Sequence, residues 1–170
     1  MPKFLLVFLA ALLTIAAWYY YPEKPLPNNT RIDSLVVYKS RRTMEAYSGR
    51  VLIKRYTISL GKQPVGAKKK QGDHRTPEGH YRINARNSNS GYHKNLGISY
   101  PDAKDRRNAA RQGVSPGGDV KIHGLKNGSG YISKFHRFRD WTDGCIGVTD
   151  NEVDELYTHV TRNAPIVIYP

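Results

Sequence analysis

The chain has a single cysteine and six histidines. Cys145 stands in Trp141-Thr142-Asp143-Gly144-Cys145-Ile146, just ahead of a helix start signalled by Thr149-Asp150-Asn151-Glu152. A thiol attacks as its thiolate, which turn amides and the positive end of a helix stabilise. Gly144 lets backbone approach a bound carbonyl, and neighbouring N–H groups can hold an oxyanion. The ordinary fate of a free cysteine is burial as a small hydrophobe. What separates the two is a base. His159 falls within the expected helix and reads as a surface residue, and His80 lies in a strand between Gly79 and Tyr81. His123 ends a strand and is followed by Gly124, which suits the lip of a site. A backbone carbonyl can orient such an imidazole in place of a third side chain. His74, His93 and His136 complete the set, and no pair has the spacing of a zinc site. One cysteine also excludes a disulfide framework and any multi-cysteine metal centre.

The chain around these residues reads mostly as strands. Residues 32–39 and 51–60 are rich in Val, Ile, Tyr and Thr, with Leu52, Tyr56, Ile58 and Leu60 mainly on one face. Residues 61–76 form a polar, basic loop around Lys68-Lys69-Lys70. Residues 80–84 make a short strand, and 84–118 read as a long turn-rich stretch with Pro101 and Pro116. Residues 119–123 alternate as a strand, and 124–130 are a glycine-rich loop. Only one helix is well signalled. Thr149 and Glu152 form a capping box, and Val153, Leu156, Tyr157 and Val160 follow at helical spacing. Residues 165–169 close the chain as a strand. The expected class is mainly β with one clear helix after the cysteine.

Residues 4–21 carry no charge and follow Lys3. The run is just long enough to span a bilayer and has no polar face, so it reads as a signal peptide or an uncleaved anchor helix. Thr14-Ile15-Ala16 could serve as a small-x-small cleavage site. Trp18 and Tyr19 to Tyr21 resemble an interfacial belt, which favours a retained anchor. Pro22, Pro25 and Pro27 stiffen a spacer. The expected organisation is residues 1–21 as signal or anchor, 22–31 as linker and 32–170 as one domain outside the cytoplasm. A net charge of +13 from 27 basic and 14 acidic residues implies polyanionic partners. Lys68-Lys69-Lys70 and Arg106-Arg107 are candidates, although such runs are ordinarily solvated loops. An exported address and the absence of a recognisable motif argue against nucleic acid.

Ile122-His123-Gly124 followed by Thr142-Asp143-Gly144-Cys145-Ile146 resembles the signature of the L,D-transpeptidase catalytic domain, the YkuD-type fold. Gly72-Asp73-His74-Arg75-Thr76-Pro77-Glu78-Gly79-His80-Tyr81, Asn95-Leu96-Gly97-Ile98-Ser99-Tyr100-Pro101 and Pro116-Gly117-Gly118 resemble further segments of that family, in order, over roughly residues 32–170. The resemblance implies a β-sandwich-like sheet assembly with its site at one end. It implies Cys145 as nucleophile, His123 as general base and the Gly124 carbonyl as the group that orients it. Thr142, Asp143 and Gly144 would build the turn that supplies oxyanion donors beside Cys145. Tyr92 and His93 match a segment near the substrate groove.

The implied reaction needs no metal or organic cofactor. A thiolate–imidazolium pair attacks the third-residue carbonyl of a peptidoglycan stem peptide, expels D-alanine from a tetrapeptide and passes the acyl group to an amine or to water. Two positions depart from the family pattern. Asp143 stands where a second histidine is common, and Gly147 where arginine or asparagine is common. Arg137 or Arg139 could replace that arginine in space, in which case Arg139→Ala lowers turnover. Cys145-Ile146-Gly147-Val148-Thr149-Asp150 resembles a branch that includes amidases detaching wall-linked lipoprotein, so that partner and hydrolysis stand beside transpeptidation. A wall-binding module without turnover is the remaining expectation.

Overall fold

In the computed structural model, residues 3–170 are described; Met1 and Pro2, the start of the expected amino-terminal segment, lie outside the described residues. The strands are β1 (Ser34–Tyr38), β2 (Thr43–Ser48), β3 (Val51–Thr57), β4 (Gly79–Ser90), β5 (His93–Ile98), β6 (Lys121–His123), β7 (Ile146–Gly147) and β8 (Pro165–Tyr169). The helices are α1 (Lys3–Tyr20), α2 (Ala103–Arg111) and α3 (Asp150–His159), with a 3₁₀ segment at Gly130–Phe138. The strands form one eight-stranded sheet in the order β3-β2-β1-β8-β4-β5-β6-β7. The β1·β8 and β6·β7 pairs are parallel and the others antiparallel. Beyond β3, Ser59 bridges to Gly147, so the two edges of the sheet meet and it curls on itself.

Alternation places the core. Leu35 and Val37 of β1 face inward beside Ile166 and Ile168 of β8, their register partners. Tyr56, Ile58 and Leu60 are buried as their shared face predicts, while Leu52 is only half-buried. The α3 capping box forms as expected between Thr149 and Glu152, and Val153 and Leu156 go to the core. His159 departs from expectation: it is half-buried, and its Nδ1 lies 2.8 Å from the Thr30 carbonyl.

The stretch 84–118 is more ordered than its turn residues suggest. It holds the outer half of β4, all of β5, and α2. The signals were polar: β4 carries Asn and Ser along a solvated face, β5 has only Leu96 and Ile98 as large apolar residues, and α2 starts at a capping box between Asp102 and Asp105. Lys39 continues the inward face of Leu35 and Val37. Its buried ammonium donates to the Gly66 and Thr76 carbonyls and pairs with Glu78 at 2.8 Å. This cation pins the basic loop 61–76 against the sheet.

Candidate active site

Parallel pairing of β6 with β7 sets Ile122 beside Ile146 and His123 beside Gly147. Cys145 immediately precedes β7, so thiol and imidazole come from adjacent strand ends and line the same open groove of about 760 Å³. His123 is buried and its Nδ1 lies 2.7 Å from the Gly124 carbonyl. A carbonyl only accepts, so Nδ1 carries the proton and Nε2 keeps a lone pair. Gly124 is tightly housed. A Cβ there would stand 2.6 Å from Asp150 Oδ1 and 3.0 Å from Val153. Asp150 also accepts the Leu125 N–H at 2.8 Å, so the first turn of α3 clamps the segment that aims the imidazole.

The turn before Cys145 is held by Thr142. Its hydroxyl accepts the Gly144 N–H at 3.1 Å and donates to the Cys145 carbonyl at 2.8 Å. Gly144 has φ of 131°, and a Cβ would meet the Arg75 carbonyl at 2.7 Å. Only glycine fits both demands. The Gly144 N–H is already engaged by Thr142, which removes one of the donors expected for an oxyanion.

Desolvation acts on both members of the expected ion pair. Burial pushes the Cys145 thiol up; the Lys121 backbone works against this, while the Asp119 and Asp143 carboxylates push the same way as burial. Burial likewise pushes His123 below the ordinary imidazole value, partly opposed by Gly124. Both shifts favour the neutral thiol and the neutral imidazole. α3 begins at Asp150, five residues after the thiol. Asp143 points outward, where it accepts from Lys62 at 2.9 Å and lies 2.9 Å from His74 Nδ1. Lys62 holds that carboxyl below the usual range.

Tyr92 and Trp141 enclose the imidazole. Ring centroids lie 4.7 Å apart for Tyr92 and His123, and 5.5 Å for Trp141 and His123. Trp141 was legible only as part of a motif, and its role comes from its packing. Its indole lies over Gly147, where a Cβ would approach it to 2.9 Å. Lys68 was legible only as part of a basic run. It is buried in the groove wall and paired with Asp73 at 2.7 Å. Burial would push Asp73 up, but Lys68 and the N–H groups of Lys69, Lys70 and Arg75 outweigh it and hold the carboxyl at about 2. The solvated-loop reading holds for Lys69 and Lys70 and fails for Lys68.

Three expected contacts are not brought to the groove. His93 Nε2 lies 2.9 Å from Asp154 Oδ1 and clasps β5 to α3. Arg137 binds Glu152 at 2.8 Å and Glu23 at 3.1 Å, because the buried Glu152 carboxylate of the α3 cap needs a cation. Arg139 is exposed and rims a separate cavity behind Trp141. Neither arginine replaces the side chain absent at Gly147; the indole fills that space. Among the described residues no cluster of three His, Cys, Asp or Glu side chains could hold a metal ion.

Residues 32–168 match the family model of the L,D-transpeptidase catalytic domain, YkuD. The chain is 28% identical over 132 residues to Escherichia coli YafK, a protein provisionally named an L,D-transpeptidase, covering 74% of this chain and 46% of that one. The fold is similar to the helical cell shape determining protein Pgp2 of Campylobacter jejuni, with a TM-score of 0.60, 21% identity, and coverage of 82% of this chain and 48% of that chain. It is also similar to an L,D-transpeptidase of Xylanimonas cellulosilytica, with a TM-score of 0.53, 12% identity, and coverage of 86% and 65%. The chain spans about half the length of YafK and Pgp2. With the fold, the ordered motifs and the match over most of its length in agreement, this chain belongs to the L,D-transpeptidase catalytic domain family.

Proposed function

We propose that the chain is a cysteine-dependent peptidoglycan L,D-transpeptidase. The observation that carries this reading is the Nδ1–H bond of His123 to Gly124, which leaves Nε2 basic in the groove that holds Cys145. His123 Nε2 takes the Cys145 proton as sulfur bonds to the third-residue carbonyl carbon of a stem peptide. The oxyanion rests on backbone N–H groups at the turn, that of Cys145 first, since Thr142 occupies that of Gly144. The C–N bond breaks, and the imidazolium returns its proton to the leaving amine of D-alanine. An acceptor amine attacks the thioester and gives its proton to His123, the C–S bond breaks, and the imidazolium passes that proton to the departing Cys145 sulfur. With the proton held on Nδ1 by the Gly124 carbonyl, Nε2 of a neutral His123 can serve as general base.

The apolar α1 is long enough to cross a membrane, and it serves here as an anchor that keeps the domain at the outer face of the cytoplasmic membrane. Basic surface then favours the acidic stem peptides of the wall.

Mass spectrometry of muropeptide products tests the reading. The chain and its Cys145→Ala variant are incubated with disaccharide-tetrapeptides. Cysteine-dependent loss of D-alanine with 3→3 dimers supports transpeptidation. Loss without dimers identifies a carboxypeptidase, and release of lysine-linked lipoprotein from sacculi with no muropeptide reaction identifies an amidase. No reaction in either assay leaves a wall-binding module.

A further inference from the structure

The segment Gly130–Phe138 is built inside out. Its cationic and polar side chains Lys134 and His136 are buried, at 7% and 4% exposure, while Tyr131 and Phe138 are 75% and 73% exposed. Phe135, between them, is also exposed. A water-facing element shows the reverse pattern, and clustered exposed aromatics mark an interaction surface.

The buried polar groups fasten this segment to the end of α1. Lys134 Nζ donates to the carbonyls of Trp18 and Tyr21, which the helix end leaves without partners. Tyr19 donates to the Tyr131 carbonyl, and Arg137 binds Glu23. Trp18 packs on Phe135 and Phe138, each at 5.6 Å between ring centroids, and Tyr19 stacks on Phe135 at 5.2 Å. An apolar groove of about 560 Å³ runs between the two elements, from Tyr131 and Phe135 down to Ile15 and Leu12.

Depth follows from these contacts. Trp and Tyr at the end of a spanning helix sit at headgroup level. Whatever packs on Trp18 and Tyr19 sits at that level too. Leu12 lies six residues below Trp18, about 9 Å along the axis, so the groove reaches the acyl chains. Exposed Lys126 and Arg139 rim a neighbouring cavity of about 330 Å³ that Phe135 also lines, where a lipid phosphate would find a cation.

We infer that Gly130–Phe138 is a second membrane-contacting element: Tyr131, Phe135 and Phe138 enter the headgroup region of a phospholipid bilayer beside α1 and hold the domain down on the membrane. This inference rests on the reading of α1 as a retained span. The segment runs on through Asp140 to Trp141 and the Cys145 turn, so the contact also sets the position of the groove just above the bilayer. The domain is then a seated body, with substrate reached close to the membrane surface, and not a body swinging on a linker.

Site-directed fluorescence on the full chain tests this. In a Cys145→Ala background, Tyr131→Cys, Phe138→Cys and, as a reference on an exposed loop, Val65→Cys are labelled with a polarity-sensitive dye. The proteins are reconstituted into vesicles of phosphatidylethanolamine and phosphatidylglycerol. At positions 131 and 138 the expected result is blue-shifted emission, quenched severalfold more by spin-labelled lipid than by iodide, with the reverse at 65. Both replaced rings are exposed, so the core is intact, and circular dichroism confirms it. Flotation of the protein with the vesicles reports α1 separately. Flotation with water-like emission at 131 and 138 overturns the seating and leaves the span standing. Failure to float overturns the span and the seating together.

Discussion

Trp141 lies across Gly147, and a Cβ at position 147 would stand 2.9 Å from its ring. The same indole is 5.5 Å from the His123 imidazole between centroids. A residue two places after the nucleophile and an aromatic four places before it therefore occupy one space. Gly147→Ala should cost about 1–3 kcal/mol by overpacking, and Gly147→Arg more. Combining Gly147→Ala with Trp141→Leu should recover part of that loss. Thermal melts of the two single variants and the double variant give the coupling; additive losses would show that the indole and residue 147 do not compete.

The imidazole is aimed by a backbone carbonyl, and that carbonyl is held by the housing of Gly124. Cys145→Ala should abolish turnover, and His123→Ala should lower it by about 10²–10⁴. Gly124→Ala should lower kcat although it changes no catalytic side chain, because its Cβ would meet Asp150 and Val153. Asp150→Ala tests the same clamp from the other side. Steady-state kinetics with KM unchanged and kcat reduced is the expected outcome.

Burial raises the thiol and lowers the imidazole. For the base, a lowered value means that His123 is still able to accept a proton below pH of about 6.5. The acid limb of kcat/KM should therefore lie under that value. For the thiol, a raised value means that alkylation by iodoacetamide should have its midpoint above about 8.5. Alkylation already maximal at pH 6 would instead reveal a resting ion pair.

His136 is buried with Nδ1 and its own carbonyl 2.9 Å from the Ser59 hydroxyl, and Nε2 has no partner among the described residues. Burial first, then the charge of Arg137, holds its imidazole at about 4. The unfolded chain binds that proton near pH 6.5. Between those values the unfolded state carries more protons, so stability falls as pH drops from about 6.5 to 4, by up to about 3 kcal/mol. His136→Gln should flatten that part of the curve. Urea melts across pH 4–7 measure it; an unchanged slope would place the acid sensitivity elsewhere.

The sequence alone was enough for whatever depends on local pattern or ordered motifs. β1 and β8 show the inward alternation of Leu35, Val37, Ile166 and Ile168, and α3 announces itself by Thr149 and Glu152. The candidate pair of Cys145 and His123 and the glycine beside each stood out because a turn and a strand end constrain residue type over three or four positions. β5 and α2 escaped because a strand with only Leu96 and Ile98 as large apolar residues and a charged helix offer little apolar periodicity to read. Side-chain partners and desolvation come from the packing of distant segments. Arg137, Arg139 and His93 lie near the signature in sequence or in the family's pattern, yet they turn to Glu152, to solvent and to Asp154. Lys68 and Trp141 instead enter the groove. Desolvation raises the Cys145 thiol and lowers the His123 imidazole, against the ion pair that a thiol beside a base suggests. Desolvation is the sum of what many distant segments place around an atom, and no local spacing encodes that sum.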